Sequence, residues 1–359
     1  MTIEELSTPA LLLDLDTFNH NVERMAEHLN TAGKRFRPHA KAHKCVEIAK
    51  RQISAGAAGV CAATVPEAEL MVRSGVTDVL LTSPVADARK CARMAALCSA
   101  AADVAVVVDH VDQVRAYAKA ASDAGVILNV LIDLDVGDHR TGTAPGAPAV
   151  AFAEMIGAIP SLRFGGLQAY SVRASHMTED GGRSEFSANS LRPASDTKEL
   201  LASRGILVET VTGGSTGTFE CDSSQPHLSE LQAGSYALMD AAYLRIGGLP
   251  FGNALMVLAT VVSANHHDRV TVDAGFKAFS TDRPFGPDVL EVTGARYEWA
   301  GDEFGYVFLN GPSRAMRLGD RLRFVPPHCD PTVNLYDRIH VCRGDNVEDV
   351  WPVMDRVRL

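Results

Sequence analysis

The 359-residue chain has no CxxC pair, no basic run, no apolar stretch of membrane-spanning length and no internal repeat. Its seven cysteines (Cys45, Cys61, Cys91, Cys98, Cys221, Cys329 and Cys342) are odd in number, which speaks against a disulfide framework and a zinc ribbon and suits a reducing compartment. The 34 Lys and Arg are scattered among 44 Asp and Glu, so the net charge of -10 repels phosphate backbones and no nucleic-acid partner is expected. An anionic ligand would need a local site. The opening Met-Thr-Ile-Glu-Glu-Leu lacks the basic start and apolar core of a signal peptide, so a cytoplasmic protein with no membrane partner is expected. What is present is ordinary globular composition, 46% hydrophobic and 22% charged, at a length that can bury a large core without covalent staples.

After an opening strand at 11–16, β-rich runs near 35–41, 59–64, 78–84, 103–109, 127–135, 164–170, 207–212 and 230–238 alternate with helical patterns. Eight such repeats predict a (β/α)8 TIM-like barrel of class α/β over residues 11–240. In the first helical stretch Val22, Met25, Ala26 and Leu29 follow the helical spacing and Gly33 supplies a stop, while Pro66 suits the first turn of a later helix. Beyond Ala241 the texture changes to β segments at 254–264, 269–274, 306–309 and 321–325, separated by Gly, Pro and Asp turns. This predicts a second, mostly β C-terminal domain over residues 241–359, joined by residues 1–10.

Arg37-Pro38-His39-Ala40-Lys41-Ala42-His43-Lys44 closes the second predicted strand, and strand alternation would put Arg37, His39, Lys41 and His43 on one face. A solvated basic strand end has the same spacing. At the C-terminal mouth of a barrel, however, such a face would meet a phosphate or carboxylate. A lysine crowded by cations loses its proton more readily, and a neutral amine is what attacks an aldehyde to form a Schiff base. Lys41 is central to the cluster and Lys44 is the lesser candidate.

These residues resemble the alanine-racemase-like barrel enzymes that use pyridoxal phosphate, and within them the D-threonine aldolase, D-serine dehydratase and 3-hydroxy-D-aspartate aldolase branch. The resemblance runs from Thr8-Pro9-Ala10 to the C-terminal His-Cys-Asp-Pro. It implies that Lys41 holds pyridoxal 5'-phosphate, with His39 beside it. The turn Asp135-Val136-Gly137-Asp138-His139-Arg140-Thr141-Gly142 looks like the loop whose arginine reaches the cofactor ring, which points to Arg140; a charged turn alone would explain Asp138 and His139. Tyr170 matches the tyrosine beside the cofactor, and His176 falls where the aldolases place their general base. Thr212, Gly213, Gly214, Ser215, Thr216, Gly217 and Thr218 follow a strand and are small enough for backbone N–H groups to cradle a phosphate. The family uses this segment, with Gly234 and Ser235, for the cofactor phosphate. Glu69 reads most simply as a helix-face carboxylate.

His328 and Asp330 stand two residues apart after Pro326-Pro327, and on an extended segment both would face the same side, with Cys329 facing the other. An imidazole and a carboxylate suit Mn, Mg, Co or Zn. By resemblance, aldolases carry His-x-Asp here and the serine dehydratases His-x-Cys, so Asp330 sides with the aldolases.

The implied reaction is retro-aldol cleavage of a D-3-hydroxy amino acid, D-threonine-like or 3-hydroxy-D-aspartate-like, to glycine and an aldehyde. The cofactor acts as electron sink, the metal holds the 3-hydroxyl and His176 takes its proton. The alternative is dehydration of D-serine or 3-hydroxy-D-aspartate to a 2-oxo acid and ammonia. An alternative of another class is a non-catalytic pyridoxal-phosphate-binding protein, although such proteins consist of the barrel alone. A homodimer is implied. Two departures from the aldolase pattern bear on the substrate: Cys61-Ala62-Ala63-Thr64 replaces a strand end with a polar contact, and Phe304 stands where a histidine is usual. Arg173 could add a charge that binds a carboxylate.

Overall fold

The computed structural model describes residues 1–98, 102–178, 182–309 and 316–354. These divide into two compact units. The barrel unit comprises Met25–Lys41 and Val46–Gly234; the sheet unit comprises Met1–Arg24, Ala42–Cys45 and the described residues from Ser235 onward.

In the barrel unit, eight parallel strands run Arg35–Phe36, Val60–Ala62, Asp78–Leu81, Asp103–Val108, Leu128–Asp133, Leu162–Ala169, Thr210–Gly213 and Glu230–Leu231. A parallel bridge between His39 and Cys61 closes the ring, and the Cys61 N–H donates to the Pro38 carbonyl at 2.9 Å. Strands buried on both faces need continuous apolar runs, and Val104 and the three valines from Val106 supply one. Cys61, Leu80, Val107 and Leu131 pack together as one cluster of this core. Each large aliphatic side chain so buried contributes about 1.5–3 kcal/mol. The helix Val65–Arg73 starts where expected: the Glu67 N–H donates to the Thr64 hydroxyl and Pro66 occupies the first turn. Its Glu69 is a helix-face carboxylate, held at 2.7 Å by both Nε and Nη2 of Arg93. Those hydrogen bonds hold its carboxyl below the usual range.

Several strands of the barrel unit are shorter than the sequence expectation. The strand expected at 35–41 ends at Phe36, because Pro38 has no N–H to continue the ladder, and Ala40–Ala42 form a 3-10 turn. The one expected at 230–238 ends at Leu231, and Ser235–Ala237 form another such turn. The one expected from Leu207 begins at Thr210, leaving Leu207 exposed.

The sheet unit carries a nine-stranded, mostly antiparallel sheet. The opening strand, expected at the head of the barrel chain, is Ala10–Asp14 and belongs to this sheet instead. It pairs antiparallel with Leu255–Ser263 and parallel with Arg338–Arg343, burying Leu11, Leu12 and Leu13 on both faces. Arg321–Val325 is a strand as read, and Gly305–Phe308 overlaps the segment read at 306–309. No helix among the described residues is long and apolar enough to cross a membrane.

Candidate active site

Every strand of the barrel unit ends at the same rim, and the candidate residues of that unit gather there. His39 accepts the Lys41 N–H on Nδ1 at 3.4 Å, while its Nε2 lies 3.0 Å from the Thr82 hydroxyl, one residue beyond Asp78–Leu81. Lys41 is partly buried on its 3-10 turn. Arg140 lies after Leu128–Asp133 with its guanidinium 5.1 Å from the centre of the Tyr170 ring, a cation–π contact. Tyr170, just past Leu162–Ala169, has its hydroxyl 3.3 Å from that of Ser175, and His176 ends the 3-10 turn Ala174–His176.

A chain of side chains, buried at Asp133, Gln168, Gln232 and Thr212, ties these loops together. The Gln168 amide donates to Asp133 at 2.8 Å and to the Thr82 carbonyl at 3.0 Å. The Thr141 hydroxyl donates to the other oxygen of Asp133 at 2.7 Å. The Gln232 amide donates to Gln168 at 3.2 Å and to the Thr212 hydroxyl at 3.1 Å. Burial pushes the Asp133 carboxyl up, offset by the hydrogen bonds from Gln168 and Thr141.

The small-residue loop is fully buried from Val211 to Phe219. Gly213 could not carry a Cβ, which would stand 1.9 Å from the Ala169 carbonyl, and Gly214 has a φ of +75 with Leu231 and Asp222 packed where its Cβ would go. The loop is fixed from below. The Ser215 N–H donates to the Thr218 hydroxyl at 3.1 Å, and Thr218 and Ser187 donate to the carboxylate of Asp222. Burial raises the Asp222 carboxyl to about 6.

The expected basic face from Arg37 to His43 does not form. Arg37 is buried at the opposite end of the barrel unit, where its guanidinium binds Glu230 at 3.1 Å and also Asp78, the first residues of their strands. These carboxylates hold its proton more firmly than usual. With Pro38 ending the strand, alternation stops before Lys41. His43 and Lys44 are buried in the sheet unit, where His43 accepts the Cys45 N–H at 3.1 Å.

In the sheet unit, His328 is the extended N-cap of a short helix, Cys329–Val333, so Asp330 stands in a first helical turn and not on an extended segment. The two side chains still meet, with His328 Nε2 3.7 Å from Asp330 Oδ2. The Cys329 thiol does not face away as expected: helical turning brings its Sγ 3.2 Å from Asp330. Asp282 receives the other ring nitrogen, Nδ1, at 2.7 Å. Buried Asp240 accepts the Cys329 N–H at 2.8 Å and the Tyr243 N–H at 2.9 Å. Ser235, assigned from sequence to a phosphate, donates to Asp330 at 3.5 Å; Gly234 closes the barrel unit. Phe304 is exposed at the tip between Arg296–Trp299 and Gly305–Phe308, and Arg173 rests its guanidinium 5.0 Å from the centre of the Phe186 ring.

These donors fit the implied groups. Pyridoxal phosphate needs a lysine amine and a cradle of backbone N–H groups and small hydroxyls for its phosphate, and Lys41 and the buried small-residue turn from Thr212 to Thr218 are groups of those kinds. For a divalent ion, a neutral imidazole nitrogen and a carboxylate oxygen are a suitable donor pair with coordination positions left over. Among the described residues no group of three or more His, Cys, Asp or Glu converges on such a point. Sequence reasoning passed over Asp133, Asp222, Asp240 and Asp282. None has a motif; only long-range packing brings each to its partners.

Comparison with known proteins gives matches over both parts of the chain. The alanine racemase N-terminal domain matches residues 13–242, and a putative serine dehydratase domain matches residues 254–342. The chain is 38% identical over 358 residues to D-threonine aldolase from Arthrobacter sp, covering 99% of this chain and 94% of that protein. It is 36% identical to 3-hydroxy-D-aspartate aldolase from Paracoccus denitrificans strain Pd 1222, with the same coverage of 99% and 94%. The crystal structure of D-threonine aldolase from Filomicrobium marinum is similar with a TM-score of 0.95 at 38% identity, over 98% of this chain and 96% of that one.

Proposed function

The chain belongs to the alanine racemase N-terminal domain family, and on that footing we propose that it is a pyridoxal-phosphate-dependent lyase that cleaves a D-3-hydroxy amino acid, of the D-threonine or 3-hydroxy-D-aspartate type, to glycine and an aldehyde. The observation that carries this reading is the partner of His328. Its Nε2 faces the carboxylate of Asp330, the ligand by which the chain resembles the aldolases and differs from the dehydratases.

Pyridoxal phosphate, when bound, supplies an electron sink that lets the Cα–Cβ bond of an amino acid break. Lys41 would hold it through its Nζ, with His39, Arg140 and Tyr170 around it. Thr212, Gly213, Gly214, Ser215, Thr216 and Gly217, with Gly234 and Ser235, would hold its phosphate. A divalent ion, Mn, Mg, Co or Zn, would be held by His328 and Asp330 and would supply a Lewis acid for the substrate 3-hydroxyl. His176 would take the proton of that hydroxyl on a ring nitrogen, as a general base. The chain of Gln168, Asp133, Thr141 and Gln232 keeps the loops bearing Arg140, Tyr170 and Thr212 in fixed register, which supports the orientation this chemistry needs.

We place the protein in the cytoplasm as a homodimer. The first is supported by seven free cysteines; the second rests on the family resemblance and is checked by its elution volume on size exclusion.

The test is to supply the purified protein with cofactor and Mn²⁺ and add D-threonine, D-3-hydroxyaspartate and D-serine in turn. Glycine and an aldehyde in equal amounts are the expected products. A 2-oxo acid with ammonia would replace the aldolase reading by the dehydratase one, and bound cofactor without turnover of any of the three would favour a non-catalytic binder.

A further inference from the structure

We propose that Asp282 is a positioning residue that fixes the ring of His328, so that Nδ1 carries the proton and Nε2 is the atom presented to the metal. This inference rests on the reading of His328 and Asp330 as the metal pair.

The two nitrogens of an imidazole point away from opposite edges of the ring, so a group bound to one cannot share an ion with a group facing the other. Here the edges are already divided. Asp282 Oδ2 is 2.7 Å from Nδ1, while Asp330 Oδ2 is on the Nε2 side at 3.7 Å. The carboxylate of Asp282 is therefore excluded as a third ligand on that side, and its hydrogen bond selects the Nδ1–H tautomer. Nε2 is left with its lone pair toward Asp330.

The same short segment holds the backbone as well as the ring. The His328 N–H donates to the Ser280 hydroxyl at 3.0 Å, and the Ser280 N–H donates to the Thr332 hydroxyl at 3.0 Å. Residues 280–282 thus hold His328 and the short helix Cys329–Val333 at three points. Asp282 is itself exposed, with 43% of its side chain open to solvent and Arg283 3.7 Å away. An exposed carboxylate of this kind does little for folding. Its geometric role is the orientation of a ring that would otherwise rotate and offer either nitrogen. Carboxylates that accept from a metal-binding histidine contribute about 10- to 100-fold in metal affinity.

The experiment uses the full-length protein with cofactor bound and divalent ions removed by chelation, and titrates Mn²⁺ while the free ion is followed by electron paramagnetic resonance. Asp282→Ala is expected to weaken Mn²⁺ binding about 10- to 100-fold, and Asp282→Asn, whose carbonyl still accepts the Nδ1 proton, to recover most of that loss. The cofactor absorbance and the melting temperature of the metal-free protein are expected to match the parent in both variants. Mn²⁺ binding within about twofold of the parent in Asp282→Ala would overturn the proposal, as would an Asn variant as weak as the Ala one. A metal-free melting temperature lowered in both would assign Asp282 a structural role and overturn it equally. His328→Ala separates the two levels: if it binds Mn²⁺ like the parent, the metal pair itself is wrong and this inference falls with it.

Discussion

In the barrel unit the candidate site is drawn from residues between His39 and Gly217, brought to one rim by parallel strands, whereas in the sheet unit the candidate metal pair is two residues apart, at the N-cap and in the first turn of one short helix. The first depends on the whole ring being closed and in register, and the buried chain through Asp133, Gln168 and Gln232 shows how that register is kept. The second depends on local support: Asp240 and Ser280 hold its backbone and Asp282 holds its ring. A distributed site should lose function through many remote substitutions, and a local one through few.

The largest expected effect is at the amine. Lys41→Ala should abolish product formation and the absorbance band that borohydride fixes to the protein, measured on the cofactor-loaded chain; a retained, fixable band would move the cofactor to another lysine. His176→Ala should lower kcat by about 10²- to 10⁴-fold, the usual worth of a general base, while the cofactor band stays; unchanged kcat would remove His176 from the chemistry.

Two further predictions concern stability at different depths of the barrel. Arg37→Ala removes the closer partner of buried Glu230 and leaves it only the half-exposed Arg35 at 3.6 Å, so denaturant unfolding should show a loss of up to about 3–5 kcal/mol. A negligible loss would mean that the floor pair is not needed to keep the ring closed. Asp222 has the smallest effect and a definite sign. Its folded pKa, about 6, lies above the ordinary value of 3.8, so the fold binds its proton more tightly than the unfolded chain does. The contribution is fully present below about 3.8 and is lost as pH rises through 6, on the order of 3 kcal/mol in all. Asp222→Asn should flatten that slope in unfolding curves of the cofactor-free protein between pH 4.5 and 7; an unchanged slope would assign it to other groups.

Much of this was readable beforehand because period and motif are local. Eight β-α repeats predicted the barrel, and the texture change after Ala241 predicted a second β part. Lys41, Arg140, Tyr170 and the small-residue loop each follow a strand, and in a barrel of parallel strands all such positions come to one rim. What failed did so for physical reasons. Strand alternation predicts Arg37 at the mouth only if the strand runs on through Pro38, which cannot continue a ladder, and Arg37 instead pairs with Glu230 at the floor. An extended segment predicts Cys329 on the far side, whereas the helical turn that forms brings its thiol toward Asp330. Ala10–Asp14 carries an apolar run that suits either kind of sheet, and only its pairing with Leu255–Ser263 and Arg338–Arg343 decides between them. Asp282 lies 46 residues before His328 with no spacing to mark it.

The central claim is that the cofactor lysine and the metal pair are separate parts of one catalyst. Asp330→Ala, assayed with cofactor and Mn²⁺ present, tests it most directly. The account predicts that the variant keeps the borohydride-fixable band on Lys41 and loses both Mn²⁺ binding and glycine formation; full glycine formation by Asp330→Ala would contradict it.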